Sequence, residues 1–132
     1  MAERPRPVLV VEDDPDLLAL EEAILAEAGY RVACATDGLE ALDCVEREMP
    51  GIILLDMRMP VMSGWDFARE FRARHGRSAP IVVVTAAENA RARAHEIDAD
   101  GFLAKPFDLA DVIGVVERHA PSPAPPDPAG GG

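Results

Sequence analysis

The residues able to do chemistry in this chain stand where runs of branched aliphatics end. Glu12 and Asp13 follow Val8-Leu9-Val10-Val11, Asp56 follows Ile52-Ile53-Leu54-Leu55, Thr85 follows Ile81-Val82-Val83-Val84, and Lys105 follows Gly101-Phe102-Leu103-Ala104. Three carboxylates held together repel one another, by about 4 kcal/mol for two charges ~4 Å apart at an effective dielectric near 20. They need a cation, and carboxylates that leave room for waters suit Mg²⁺. With Mg²⁺ and Lys105 present, the local charge favours a phosphoryl group, and Thr85 supplies a hydroxyl that a phosphoryl oxygen can accept from. Asp56, central among them, can act as a nucleophile and become an aspartyl phosphate. Metal and lysine then hold the equatorial oxygens of the transferring group.

The elements that must position these residues alternate. Each aliphatic run reads as a strand buried on both faces, as in a parallel sheet covered by helices. Ligands of such sheets bind beyond the carboxyl ends of the strands. Asp14 and Pro15 form an N-cap and first helical residue, and Leu17, Leu20, Ile24, Leu25 and Ala28 give that helix one apolar face, stopped by Gly29. Val32–Ala35 is a short second strand, Asp37-Gly38 a turn, and Leu39–Met49 a second helix with Leu42, Val45 and Met49 inward. Ser63-Gly64 opens a third helix that points Phe67, Ala68 and Phe71 to the core. Asn89–Ile97 is a fourth helix built on Ala90, Ala94 and Ile97, and a fifth carries Leu109, Val112, Ile113 and Val116 inward. Strand and helix alternate five times, which with right-handed crossovers makes a doubly wound α/β sheet of five parallel strands with five helices.

At 132 residues the chain makes one domain, and its net charge of −11 argues against nucleic acid or an anionic membrane as a direct partner. No apolar run is long enough to span a bilayer, and Met1–Pro5 lacks the apolar core of a signal peptide. Cys34 and Cys44 form no metal-type spacing and read as buried free thiols in a reducing cytoplasm. His75, His95 and His119 have no acid or cysteine in ligand spacing and read as solvent-facing, and Trp65 as a partial packing residue on the third helix. From Pro121 on the chain is Pro-Ser-Pro-Ala-Pro-Pro-Asp-Pro-Ala-Gly-Gly-Gly, which has no packing residues and reads as a disordered tail.

Three other chemistries fit less well. A dehalogenase-like phosphatase also uses a strand-end aspartate but wants a second acid two residues on, where Arg58 stands. A nucleotide-binding module wants a glycine-rich loop after the first strand, and Glu12-Asp13-Asp14 is its electrostatic opposite. A purely structural role leaves Lys105 beside three strand-end acids as a coincidental ion pair. Glu12-Asp13, Asp56 within Asp-Met-Arg-Met-Pro, Thr85-Ala86 and Lys105-Pro106-Phe107 together resemble the receiver domain of bacterial response regulators, over about residues 8 to 119.

The resemblance implies a flavodoxin-like three-layer sandwich, with residues 1–7 as an N-terminal arm, 8–119 as the receiver domain and 120–132 as a Pro/Gly-rich tail. It implies that Asp56 accepts a phosphoryl group from a histidine kinase or histidine phosphotransfer protein in the cytoplasm, and that the chain turns over no separate substrate. Glu12, Asp13, Asp56 and the backbone carbonyl of Arg58 are then the Mg²⁺ ligands, Thr85 and Phe102 the switch pair, and Arg58 and Ala87 the residues that tune phosphoryl lifetime. Lys105-Pro106 is expected to be cis, and helix 4, strand 5 and helix 5 form the surface that switches. Departures from the family pattern are Gly51, Ser63, Asp98 in place of a helix-ending glycine, and a short Thr85–Lys105 interval, which bear on the fourth helix. The output expected of a stand-alone receiver is a protein–protein contact or a phosphorelay step. In a fragment of a larger response regulator or hybrid kinase, the tail begins a linker.

Overall fold

The computed structural model describes residues 5–120; residues 1–4 of the expected arm and 121–132 of the expected tail lie outside the described residues. The chain runs β1 Val8–Val11, α1 Pro15–Glu27, β2 Val32–Ala35, α2 Gly38–Arg47, β3 Ile52–Asp56, α3 Gly64–His75, β4 Ile81–Ala86, α4 Ala87–Glu96, β5 Gly101–Lys105 and α5 Leu109–His119. The strands form one parallel sheet in the order β2-β1-β3-β4-β5. Because strand side chains alternate between faces, the sheet feeds two cores. On one face Leu9, Val11, Ile53, Leu55, Ile81 and Val83 pack with Leu42, Val45, Phe67, Phe71 and Ala94 from α2, α3 and α4. On the other, Val8, Val10, Ile52, Leu54, Val82, Val84 and Leu103 meet Ile24 and Leu25 of α1 and Val112, Val115 and Val116 of α5. Each such side chain fully buried contributes about 1.5–3 kcal/mol.

Polar residues set where the helices begin and end. Asp14 accepts from the amides of Asp16 and Leu17 with Pro15 first in the helix, Asp37 accepts from Glu40, and Ser63 from Asp66. Asp108 and Asp111 form a reciprocal capping box on α5. α1 stops at Gly29, whose φ of +97° is costly for a side chain with a Cβ. Another close approach is at Gly64, where a Cβ would come 2.8 Å from the Asp56 carbonyl oxygen and 2.7 Å from the Met57 backbone. A bare α-carbon there lets α3 start directly beneath the end of β3.

Several expectations are corrected. The inner face of α1 is turned from the one expected: Leu20 is half-exposed and Ala28 exposed, while Leu18, Glu21, Ile24 and Leu25 face the core. α2 ends at Arg47, so Met49 packs on the core from beyond the helix. α4 begins at Ala87 with no loop after β4 and no side-chain cap. Leu109, first in α5, is exposed, and Val115 takes its share of the buried face.

Asp98 does adopt the left-handed conformation at φ 53°. It is held there by an ion pair with Arg77, while Arg72 donates to the carbonyl oxygens of Ile97 and Asp98. α4 is a helix of 10 residues despite the aspartate at its end. His75 is not solvent-facing: Nε2 lies 2.9 Å from Glu46 Oε2 and the ring packs on Phe71, joining α3 to α2. His119 lies against Gly101, and only His95 is exposed as expected. Trp65 is partly buried, as expected, and its indole N–H donates to Glu96 on α4 at 2.8 Å. Cys44 is buried but Cys34 only partly; burial, then Glu22, pushes the Cys34 thiol up to about 11, so it is a poor nucleophile.

Candidate functional site

Strand register brings the expected residues to one edge. Val11 pairs with Leu55, so Glu12 and Asp56 come next on adjacent strands. Asp56 pairs with Val84, which puts Thr85 one residue further out. Thr85 pairs with Ala104 and Ala86 with Lys105 across the β4–β5 seam. Asp56, Thr85 and Lys105 are the last or next-to-last residues inside their strands rather than beyond them. The strand backbone therefore fixes their Cα positions.

Carboxylate oxygens of Glu12, Asp13 and Asp56 lie within 4.8 Å of one another. Lys105 Nζ donates to Glu12 Oε1 at 3.1 Å and stands 3.7 Å from Asp56 Oδ2. The amide of Arg58 donates to Asp56 Oδ1 at 3.3 Å, and that of Asp14 to Glu12 Oε2 at 3.2 Å. Glu12 and Asp56 are buried while Asp13 is exposed, so the cluster opens to solvent on one side only.

Burial, then the charge of Glu12, raises Asp56 to about 7 against the opposing pull of Lys105. Burial would lower Lys105, but Asp56 and Glu12 outweigh it and raise its pKa. One ammonium thus faces three carboxylates, and the charge is unbalanced. A divalent cation corrects that imbalance, and an all-oxygen donor set with an open side fits Mg²⁺.

Other expected residues lie around this cluster. Thr85 is buried at the β4 end. Arg58 is exposed just after Asp56, and Ala87 is the first residue of α4. Phe102 is 39% exposed on the edge strand, opposite Val83, with the Arg91 guanidinium carbon 5.4 Å from its ring centroid. The Lys105–Pro106 peptide is cis, as expected.

The model of the response regulator receiver domain matches residues 8–117. The chain belongs to that family. Among similar solved structures is the receiver domain of the sensor histidine kinase PA1611 from Pseudomonas aeruginosa, which carries a magnesium ion coordinated in its active-site cleft. It is 36% identical, with a TM-score of 0.79 over 87% of this chain and 97% of that one. The chemotaxis protein CheY4 of Vibrio cholerae is 29% identical at a TM-score of 0.79, covering 87% and 98%. The receiver domain of NtrX from Brucella abortus is 28% identical at 0.77, covering 84% and 95%. The chain is thus a phospho-accepting receiver, a signalling domain with the CheY-like flavodoxin fold. Among the described residues no helix is long and apolar enough to cross a membrane.

One buried neighbour of the receiver's site escaped the sequence. Glu21 on α1 is 1% exposed, and its Oε2 has no hydrogen-bond partner. Burial first, then the charge of Glu12, raises it to about 8. The available signal was its place one turn before Ile24 and Leu25, at a core-facing position. An acid there is read as solvated unless the helix phase is fixed to within one residue, which is 100° of rotation.

Proposed function

We propose that Asp56 is the phosphoacceptor, taking its phosphoryl group from a phosphohistidine on a histidine kinase or phosphotransfer protein in the cytoplasm. The observation that carries this reading is Lys105 Nζ between Glu12 and Asp56, within a cluster of three strand-end acids. An Asp56 carboxylate oxygen attacks phosphorus, the P–N bond to the donor imidazole breaks, and an acyl phosphate remains. Lys105 favours the ionised, attacking form of Asp56 and then pairs with a phosphoryl oxygen. Thr85 donates its hydroxyl to another. Glu12, Asp13, Asp56 and the carbonyl of Arg58 would hold Mg²⁺, which when bound neutralises charge on the transferring group. The chain acts on itself in this step and turns over no separate substrate.

The output follows from the same residues. Thr85 gains a charge-assisted hydrogen bond only in the phosphorylated state, so the phosphoryl group biases one conformation over the other. Phe102 turns inward as Thr85 moves, and the face formed by α4, β5 and α5 changes for a protein partner. Acetyl phosphate with Mg²⁺ is expected to add one phosphoryl mass to the wild type and none to Asp56→Asn. An undiminished mass gain in the variant would put the acceptor elsewhere.

A further inference from the structure

Phe102 is a large apolar ring left 39% exposed on an edge strand, which the hydrophobic effect disfavours. Room exists to move it. Phe102 and Ala104 share one face of β5 beside Val83 and Thr85 of β4, so the residue paired with Thr85 on that face is a small alanine. The ring also borders a cleft of about 330 Å³, shared with Ala104, Pro106, Gly114, Asp111 and Arg118. Something must favour the outward position.

Arg91, in α4, puts its guanidinium carbon 5.4 Å from the ring centroid. The guanidinium is exposed and, among the described residues, has no carboxylate partner, unlike Arg93, which pairs with Glu96 in the same helix. Among the described residues, it lies over the face of Phe102. A cation within about 6 Å of a ring face is attracted by the ring quadrupole, and the guanidinium plane can also stack on it.

We propose that Arg91 is a positioning residue which holds Phe102 outward and so sets the resting balance of the acceptor site. The proposal rests on the switch reading above and adds a residue to it. An inward ring loses Arg91, so the contact favours only the unphosphorylated state, as a population shift requires. By reciprocity, what opposes the inward state also opposes binding at Asp56. An exposed cation–π contact shifts such a balance by about two- to five-fold.

The test uses 4-fluorophenylalanine, since the chain has only four phenylalanines and Phe102→Leu assigns the resonance. A soluble nitroxide then reports exposure of that fluorine. In the unliganded protein, Arg91→Ala is expected to reduce nitroxide relaxation at residue 102, because the ring moves inward. Arg91→Lys, which keeps a cation over the ring, is expected to restore most of the wild-type value. Beryllofluoride with Mg²⁺, a phosphoryl mimic, is expected to bind Arg91→Ala about two- to five-fold more tightly than wild type.

Unchanged or increased relaxation in Arg91→Ala would overturn the proposal, since the ring would have stayed outside. So would Arg91→Lys behaving like Arg91→Ala. Equal beryllofluoride binding by wild type and Asp56→Asn would instead count against the acceptor reading, and the unliganded spectra decide the role of Arg91 either way.

Discussion

Lys105 Nζ stands 3.1 Å from Glu12 Oε1 and 3.7 Å from Asp56 Oδ2, so one ammonium bridges the ends of two neighbouring strands from the far side of the sheet. Lys105 lies on β5, the edge strand, whereas Glu12 and Asp56 follow and end the two central strands β1 and β3. Its side chain reaches across β4, which carries Thr85. The four groups are therefore ordered around the place a phosphoryl group would occupy.

Removing that bridge should damage transfer more than folding. Lys105→Met keeps most of the apolar stem and deletes the charge. By analogy with the loss of one oxyanion donor, phosphorylation by acetyl phosphate should slow by about 10²–10³-fold. The measurement is the initial rate of mass gain at saturating Mg²⁺, with far-ultraviolet circular dichroism as the check on folding. A rate within threefold of wild type would remove Lys105 from the mechanism.

Glu21 predicts how stability depends on pH. Its folded pKa of about 8 lies above the ordinary 4.5 because the buried carboxylate is desolvated and faces Glu12. The folded state therefore holds a proton that the unfolded chain has released between those values. The stability tied to this group is fully present below pH 4.5 and is lost as pH rises through 8. Between pH 5 and pH 9, in chelator, wild type should lose about 4 kcal/mol relative to Glu21→Gln, whose side chain does not ionise. Denaturation curves that stay parallel for the two proteins across that range would show Glu21 to be solvated.

Much of this could be read without coordinates, and the reason is local. Runs such as Ile52–Leu55 fix strand identity, and once the strands are parallel, every strand-end residue falls on one edge. What could not be read depends on rotation or on contacts between helices. Glu21 and Leu20 exchange burial on a one-residue change of helix phase. The His75–Glu46 pair joins α3 to α2 across 29 residues, which no local spacing records. Asp98 looked like a defect at the end of α4 because Arg72 and Arg77, which hold that turn, belong to and follow a different helix. The resemblance marked Phe102 as an expected switch position, but nothing local marked Arg91 over its ring.

Thr85 should separate acceptance from output. Thr85 is a buried residue at the end of β4, one position further out than the Val84 that pairs with Asp56. Thr85→Ala is expected to accept a phosphoryl group on Asp56 with a rate loss of about tenfold, the low end for a hydrogen bond to a charged group. The phosphorylated variant should no longer draw Phe102 inward, so its fluorine should remain open to nitroxide. Full inward movement in phosphorylated Thr85→Ala would sever the proposed coupling.

Lifetime is the remaining property, and it is expected to turn on Arg58 and Ala87. Hydrolysis needs a water placed in line behind phosphorus, and that placement is where rate is gained. Ala87, at the start of α4, carries no group able to orient a water. Arg58 is exposed beside Asp56, and its amide already donates to Asp56 Oδ1, which keeps its backbone at the site. A long guanidinium there can lie over the phosphoryl oxygens, stabilise their charge and exclude solvent. Self-dephosphorylation is therefore expected to be slow. The Arg58→Asn, Ala87→Glu double variant supplies two groups that can bind and orient water, and should release phosphate about a hundredfold faster, the low end for a positioned general base. Phosphate release from the isolated phosphorylated proteins measures this directly. A double variant that keeps its phosphoryl group as long as wild type would mean that neither side chain governs the approach of water.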